Sequence, residues 1–363
     1  MKLQIEQPQL ANLINSPSGI VESKTTIPIL GHIKLTATSD TVSAMATDLD
    51  IEAVTIATHE VDQPGELTVP AKLFEAIVKR IPKSARVTLE YDGKLLAIKA
   101  GRSKFNLQTL PAEDFPNLAT DTYTHTATIN AHDFLDLLNK TKFAMSTEET
   151  RYYLNGVYLH NDDAGDLIAV ATDGHRLAKM THTGDVTVAG VIIPRKTVDR
   201  LVKLLDGVDS DVTLETSETK MRVTGDGFSI TSKVVDGTFP DYTRVIPQSW
   251  KATMRVDAKE FSAASGSVAA VADARSKVVR LSVSGDVCAL SGRGDVGEAE
   301  SEVSVEYDGE PLEIGFNSVY TADFMAQADG GTVSMALGGS MDPALVTFEE
   351  CDGFVGVLMP MRV

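Results

Sequence analysis

Residues 65–81 read GELTVPAKLFEAIVKRI, a strand that runs straight into a helix. Leu67 and Val69 alternate as a half-buried strand does. Pro70 breaks the hydrogen-bonding ladder, and Phe74, Ile77, Val78 and Ile81 then recur at helical spacing. The unit returns at 189–205 as AGVIIPRKTVDRLVKLL, with Ile193-Pro194-Arg195-Lys196 where Val69-Pro70-Ala71-Lys72 stood. A weaker third copy is PLEIGFNSVYTADFMAQA at 311–328. The copies recur at roughly 120 residues, the size of one small domain. A second marker keeps the same period: Phe115-Pro116-Asn117-Leu118 and Phe239-Pro240-Asp241-Tyr242. Repetition on this scale sets the architecture before any single element does.

A chain of 363 residues exceeds one ordinary core, and the repeat divides it into three domains, 1–119, 120–247 and 248–363. Its 43% hydrophobic content is that of a globular protein, without low-complexity tracts. The opening MKLQIEQPQLANLI is too polar for a signal peptide, and no apolar run of about 18 residues is present to span a membrane. Cys288 and Cys351 lack CxxC or Cys/His company, so they are expected to be buried thiols of a cytoplasmic protein rather than a disulfide or a metal site. The net charge of −18 argues against a protein that holds nucleic acid through its whole surface. It leaves open a local basic face, or a plain acidic protein.

The first third predicts a strand at Lys2–Ile5, a helix around Leu10–Ile14 and strands at 32–38, 40–47 and 51–58. After the strand–helix unit come 86–91 and 95–100, joined by the hairpin signal Asp92-Gly93, and then 104–109. The middle third repeats the order, with a helix at 132–143 capped by Asn130 and a turn at Asp173-Gly174. In the last third an Ala/Ser-rich helix runs from Ala258 to about Ala272, and one strand covers Glu300–Tyr307. Each third reads as two β-α-β-β-β halves, an α+β class, and repeats of this kind bury their edges by pairing with neighbours.

The stretches RYYLNG (151–156), ATDGHRLA (171–178), FPDYTRVIP (239–247) and the terminal VLMPMRV (357–363) carry a resemblance. So do TIPIL (26–30), TDL (47–49), GRSKF (101–105) and LPAEDFPNL (110–118). In order and spacing, over the whole length, the chain resembles the beta subunit of bacterial DNA polymerase III, the sliding clamp. The resemblance implies three similar DNA clamp domains per chain and two chains joined head to tail as a closed ring around duplex DNA. Helices would line the hole and sheets would form the outside. It implies no catalysis, no cofactor and no metal. The partners it implies are double-stranded DNA, the polymerase III alpha subunit, a clamp-loader ATPase complex, and other proteins with a clamp-binding motif (repair polymerases, ligase, mismatch repair). No membrane is involved.

Encirclement reconciles the ring with the negative charge, since tight phosphate contacts would stop sliding. The helix from Lys72 carries Lys79 and Arg80 against Glu75, and the helix from Arg195 carries Lys196, Arg200 and Lys203 against Asp199. Mixed charge of this kind also suits plain solvated helix faces. The family implies DNA contact at Lys24 and at Tyr152 and Tyr153, whose rings could stack on bases or pack in the core. Glu148 and Glu149 stand close by, and the helix after Phe316 carries Asp323 without a lysine; both run against strong DNA contact.

The family also implies a groove for short peptides rich in Gln, Leu and Phe. Position by position it takes Leu154, Thr172, Gly174, His175, Arg176 and Leu177, then Pro240, Arg244 and Val245 from the connector. Asn317, Tyr320, Pro343 and Leu345 follow from the last third, and Val357, Leu358, Met359, Pro360, Met361 and Arg362 close it. Flexible methionines suit a surface that accepts many partners; Met359 is expected to face in and Met361 out. The dimer joint would set Phe105 against Ala270 and Val271, and Arg102 and Lys104 against Glu298 and Glu300. Ala270 is smaller than the branched residue common in relatives, a loss of about 0.8 kcal/mol per missing buried methylene.

Asp173, His175 and Arg176, with Ser146 or Thr172 as a nucleophile, could be read as a catalytic cluster. No nucleophile elbow, metal spacing or phosphate loop accompanies them, and Asp-Gly is more simply a turn. A repeat-built peptide-binding scaffold without DNA encirclement stays open as the alternative.

Overall fold

The structure is a computed structural model and describes residues 1–22, 24–118, 122–272, 277–295 and 297–362. Among these the chain repeats one strand–helix–strand–strand–strand unit from end to end. The first unit is β1 (Lys2–Glu6), α1 (Gln7–Ile20), β2 (His32–Ala37), β3 (Thr41–Thr47) and β4 (Ile51–Thr58). The second is β5 (Gly65–Pro70), α2 (Ala71–Arg80), β6 (Arg86–Tyr91), β7 (Leu95–Ala100) and β8 (Ser103–Gln108). The middle third supplies β9 (His125–Asn130), α3 (Ala131–Lys142), β10 (Gly156–Asn161), β11 (Leu167–Thr172) and β12 (Arg176–His182). Its second half is β13 (Val191–Pro194), α4 (Arg195–Leu205), β14 (Asp211–Thr216), β15 (Lys220–Gly225) and β16 (Phe228–Lys233). The last third opens with β17 (Ala252–Asp257), α5 (Ala258–Ala269), β18 (Val278–Ser284), β19 (Val287–Gly294), β20 (Gly297–Ser304) and the short β21 (Glu306–Tyr307). It ends with β22 (Leu312–Asn317), α6 (Ser318–Gln327), β23 (Thr332–Leu337), β24 (Ala344–Phe348) and β25 (Cys351–Leu358).

Packing divides the chain into two compact units, Met1–Leu135 with Val186–Val234, and Asp136–Asp185 with Val235–Val363. The cut passes through α3, so the middle third is shared between them. The first boundary expected from the sequence, between 119 and 120, lies outside the described residues.

In the N-terminal unit the two halves of the first third exchange their leading strands. β1 pairs with β6, setting Leu3 opposite Leu89, and β5 pairs with β2, setting Val69 opposite Ile33. The edge left at β4 is then covered by β16, with Ala53 opposite Ile230. An eight-stranded sheet results, in the order β5-β2-β3-β4-β16-β15-β14-β9. Covering an edge in this way removes a row of unpaired backbone groups that would otherwise template aggregation. The C-terminal unit repeats the exchange: β17 pairs with β23 and β22 with β18. Here β12 meets β25, with Ala178 opposite Gly356. Gly356 is required there, because a Cβ would come within 2.3 Å of the Phe324 ring.

Helices bury the faces that the periodicity marked. Phe74 and Val78 of α2 are fully buried, as are Leu3, Ile5 and Ile33 of the strands, and Phe261, Phe316 and Phe324 are fully buried in the C-terminal unit. Both hairpin signals hold. Gly93 and Gly174 adopt φ of +100° and +89°, and the carboxylates of Asp92 and Asp173 each accept two backbone N–H bonds.

Three expectations need correction. α1 does not stop at Ile14 but continues through Pro17 to Ile20. Proline inside a helix costs a backbone bond, yet burial of Ile14, Pro17, Ser18 and Ile20 outweighs it. The strand expected over Glu300–Tyr307 is broken at Val305, whose N–H makes the last bond beside β19, to the Asp286 carbonyl, before Glu306 and Tyr307 pair with β17. β20 therefore stays with β19, while β21 joins β17 in the other sheet. Cys288 is buried, and burial lifts its thiol to about 12; Cys351 is only half-buried, and both thiols are free. No helix among the described residues is long and apolar enough to cross a membrane.

Candidate functional site

In the N-terminal unit, α1, α2 and α4 border a cleft of about 810 Å³. Lys24, Lys72, Lys196, Arg200 and Lys203, all expected to meet DNA, line it together with Glu22 and Glu75. Gly19 lets α1 approach closely, since a Cβ there would stand 2.9 Å from Arg200 Nη1. Lys24, Lys72, Lys79, Arg80 and Lys203 are exposed, while Arg195, Lys196 and Arg200 are half-buried. Lys79 spends part of its charge on Glu75, at 2.7 Å one helical turn away.

Lys196 departs further from a DNA-facing role. Its ammonium pairs with Glu22 at 2.7 Å and with Asp48. Burial works against that charge, but the bonds to Asp48 and Glu22 outweigh it and hold its pKa above the ordinary value. Burial likewise works to raise the Asp48 carboxyl. The bonds it accepts from Lys196 and from the N–H groups of Ile51 and Asp50 prevail and hold it below its usual value. A depressed carboxyl contributes stability above its unfolded pKa and loses it as pH falls through the folded one. D48N should therefore cost about 1 kcal/mol at pH 7, and the difference from the parent should close below about pH 4. Urea midpoints at pH 7 and pH 3 check this, and a constant difference would contradict it.

In the C-terminal unit Arg176 holds the turn at 173–176. Its side chain is 10% exposed and bonds to Asp173 Oδ2 at 3.1 Å, Asp323 Oδ2 at 2.5 Å and the Phe143 carbonyl at 2.7 Å. The guanidinium also stands 4.3 Å from the centre of the Tyr320 ring, and the His175 ring lies nearly parallel to that ring at 6.3 Å between centroids. Thr172 donates its hydroxyl to the Arg176 carbonyl and accepts from Gly174 N–H. The bond from Met359 N to the His175 carbonyl, at 3.0 Å, brings in the C-terminal tail, and Leu177 and Leu345 flank Val357 in neighbouring strands.

The structure thus gathers Thr172, Gly174, His175, Arg176, Leu177, Tyr320, Leu345 and Val357–Met359. Leu154, Leu177, Val357 and Leu358 are buried and can only underlie a groove. Asn317 caps α6, accepting from Val319 and Tyr320 N–H. N317A should cost about 1 kcal/mol and loosen Tyr320, read as faster amide exchange at the start of α6. Pro343, Pro360 and Met361 are half-buried, and Arg362 is exposed. Met359 does not face in as expected, and Met361 is half-buried. Met359 is 40% exposed, because β25 ends at Leu358 and releases it, while Met361 N–H bonds the Gly315 carbonyl at 2.8 Å and draws that residue in.

Pro240, Arg244 and Val245 are exposed on the connector. The connector itself is held by residues that the motif reading passed over. Phe239 stacks on Tyr158, and the Tyr242 hydroxyl lies 3.1 Å from His160 Nε2. Burial pushes the Tyr242 phenol up to about 12. The other overlooked groups are Asp323 and Phe143. Asp323 lies three residues after Tyr320, hence on the same face of α6, which is the one signal that could have found it.

Tyr152 and Tyr153 lie on a 3₁₀ turn, Glu149–Leu154, rather than an open loop. Tyr152 is 54% exposed and meets Tyr153 edge-on, so it does not pack in the core. Glu148 pairs with Arg151 at 3.3 Å, and Asp323 is taken by Arg176, so two of the three acids that ran against DNA contact have partners. Lys140 turns inward, to Asp329 and the Gln327 carbonyl. Arg102 and Lys104 are exposed and Phe105 half-buried on or beside β8, the outermost strand of its sheet. Glu298 and Glu300 are exposed on β20, also outermost, and Ala270 and Val271 follow α5. No metal-binding cluster is found among the described residues.

Comparison with known proteins covers the whole chain. Residues 1–119, 128–241 and 243–362 match the N-terminal, central and C-terminal domains described for the DNA polymerase III beta subunit. The chain is 41% identical to the beta sliding clamp of Caulobacter vibrioides, over 100% of both chains. It is 34% identical to the beta sliding clamp of Vibrio cholerae, again over 100% of both. The crystal structure of the Bartonella birtlesii sliding clamp bound to griselimycin superposes with a TM-score of 0.96 at 38% identity, covering 100% of each chain. With three clamp domains matched in order over the whole length, the chain belongs to the family of the DNA polymerase III beta subunit, the beta sliding clamp.

Proposed function

We infer that this chain is a DNA sliding clamp, a non-catalytic processivity factor that encircles duplex DNA and tethers proteins through a peptide groove. The observation that carries the DNA side is the clustering of cations in the cleft of the N-terminal unit, in a chain of net charge −18. Local positive charge attracts the duplex, and the acidic remainder keeps contacts weak enough to slide. The domain joins fall at 119/120 and 247/248. Two chains join head to tail, β8 of one against β20 of the other, with Phe105 facing Ala270 and Val271 while Arg102 and Lys104 meet Glu298 and Glu300. Two identical joints related by a two-fold close the ring, helices inward.

The groove comprises the Arg176 turn, Tyr320, the connector residues Pro240, Arg244 and Val245, and the tail from Val357 to Arg362. Its occupants are short Gln-, Leu- and Phe-rich segments of the polymerase III alpha subunit, the clamp loader and repair factors, and its compartment is the cytoplasm. Few residues are buried by such a peptide, so micromolar affinity is expected.

The test is retention on nicked circular DNA after loading with a bacterial clamp loader and ATP, before and after the circle is cut. Protein that stays on circles and leaves linear DNA is topologically linked. Equal loss from both, governed by salt alone, would favour the peptide-binding scaffold without encirclement.

A further inference from the structure

Beyond Met359 of the groove, exposed hydrophobic side chains recur along the same end of the sheet. At one end of the C-terminal unit's sheet the strands β12, β25, β24, β23 and β17 lie side by side. Arg176 is opposite Leu358, Leu358 opposite Ala344, and Ala252 opposite Leu337. The residues one step beyond each, His175, Met359, Pro343, Gly338 and Lys251, therefore form a row across the strand ends. Backbone bonds pin both extremes of the row, from Met359 N to the His175 carbonyl and from Lys251 N to the Leu337 carbonyl. Just past the row stand Trp250, 48% exposed, and Met341, 56% exposed. Next in the chain to Trp250, Lys251 lines a cleft of about 260 Å³ together with Ala252, Tyr307, Glu310, Pro311 and Leu337. The Tyr307 hydroxyl donates to the Glu310 carbonyl at 2.8 Å, which fixes that wall. Between the two ends the row is polar, because the Asp342 carboxylate packs against Gly338 and Gly339.

We propose that the peptide groove continues along these strand ends to a second anchor at Trp250, which takes an apolar side chain from the segment flanking the bound motif. The inference rests on the groove assigned above and extends it. Three strand spacings of about 4.8 Å separate Met359 from Trp250, a distance that an extended chain covers in about four residues. Continuity with the groove makes the flank of the same peptide the occupant, since a segment already held at Met359 reaches the cleft at high effective concentration.

The chain has a single tryptophan, so its emission reports on this spot alone. The dimeric full-length protein is titrated with a fluorescent Gln/Leu/Phe-rich pentapeptide, and with versions extended by five residues, at either end, that finish in Phe or in Ser. A Phe-ended extension at one end should bind about tenfold tighter than its Ser-ended counterpart and shift tryptophan emission to the blue. W250A should erase that gain while leaving pentapeptide affinity and oligomeric state unchanged. Equal affinity for the Phe- and Ser-ended peptides, or a gain that survives W250A, overturns the proposal. A change in oligomeric state in W250A also overturns it, and assigns the patch to contacts between copies of the chain. Failure of the pentapeptide itself to bind is a separate result, which removes the groove and this extension together.

Discussion

Replacement of Arg176 by alanine is expected to destabilise the C-terminal unit by about 3 kcal/mol and to weaken peptide binding at least about tenfold. The guanidinium is 10% exposed and serves Asp173, Asp323 and the Phe143 carbonyl at once. Truncation leaves a 15%-exposed carboxylate, that of Asp173, without its cation, and unpaired buried charge costs more than the pair itself contributes. Asp323 is 39% exposed and recovers in water, which keeps the loss below the upper end of the range for buried pairs. Tyr320 also loses the cation beneath its ring, and His175 loses a fixed stacking partner, so the binding surface loosens as the fold weakens. R176K should restore little, because a point charge cannot reach two carboxylates and a carbonyl in one plane. Two compact units make a single two-state transition unsafe. Tryptophan emission in urea reads the C-terminal unit separately, because Trp250 is the only tryptophan and lies there. Unchanged stability with unchanged affinity would show that the cluster supports nothing.

Deletion of Met359–Val363 should separate the two interfaces. Peptide affinity should fall about a hundredfold, or about 2.7 kcal/mol, while the dimer survives. The deleted residues include the exposed Met359 and the tail bonds to His175 and Gly315; Val363 lies outside the described residues. What remains is a complete β25, still paired with β12 and β24, so the core beneath the groove is kept. None of the residues assigned to the dimer joint is removed. Sedimentation and peptide anisotropy on the same sample read both effects. A monomeric deletion variant would mean that pocket and joint are not independent.

The repeat was legible because it is written in local chemistry. Proline after a short alternating run, then helical spacing, recurs where β5–α2 and β13–α4 form, and at β22–α6 Asn317 takes the place of the proline as the cap. Turn signals at Asp92-Gly93 and Asp173-Gly174 are local as well, since the Asp side chain bonds its own backbone and glycine takes the positive φ. Motif positions in the groove followed from resemblance rather than from local chemistry.

What the sequence could not determine depends on neighbours distant along the chain. Continuation of α1 through Pro17 is decided by the surface it buries, which overrides a residue that elsewhere ends helices. The break at Val305 is decided by the pairing of Glu306 and Tyr307 with β17, and the half-burial of Met361 accompanies its backbone bond to Gly315. Charge is the clearest instance. As text, Asp323 is an acid on a helix with no lysine near it, and Lys196 is a cation available to DNA. In the fold Asp323 is the counter-ion of Arg176, 147 residues away, and Lys196 is taken by Glu22 and Asp48. A side chain's charge can be read from the sequence, but the partner that neutralises it is chosen by tertiary packing.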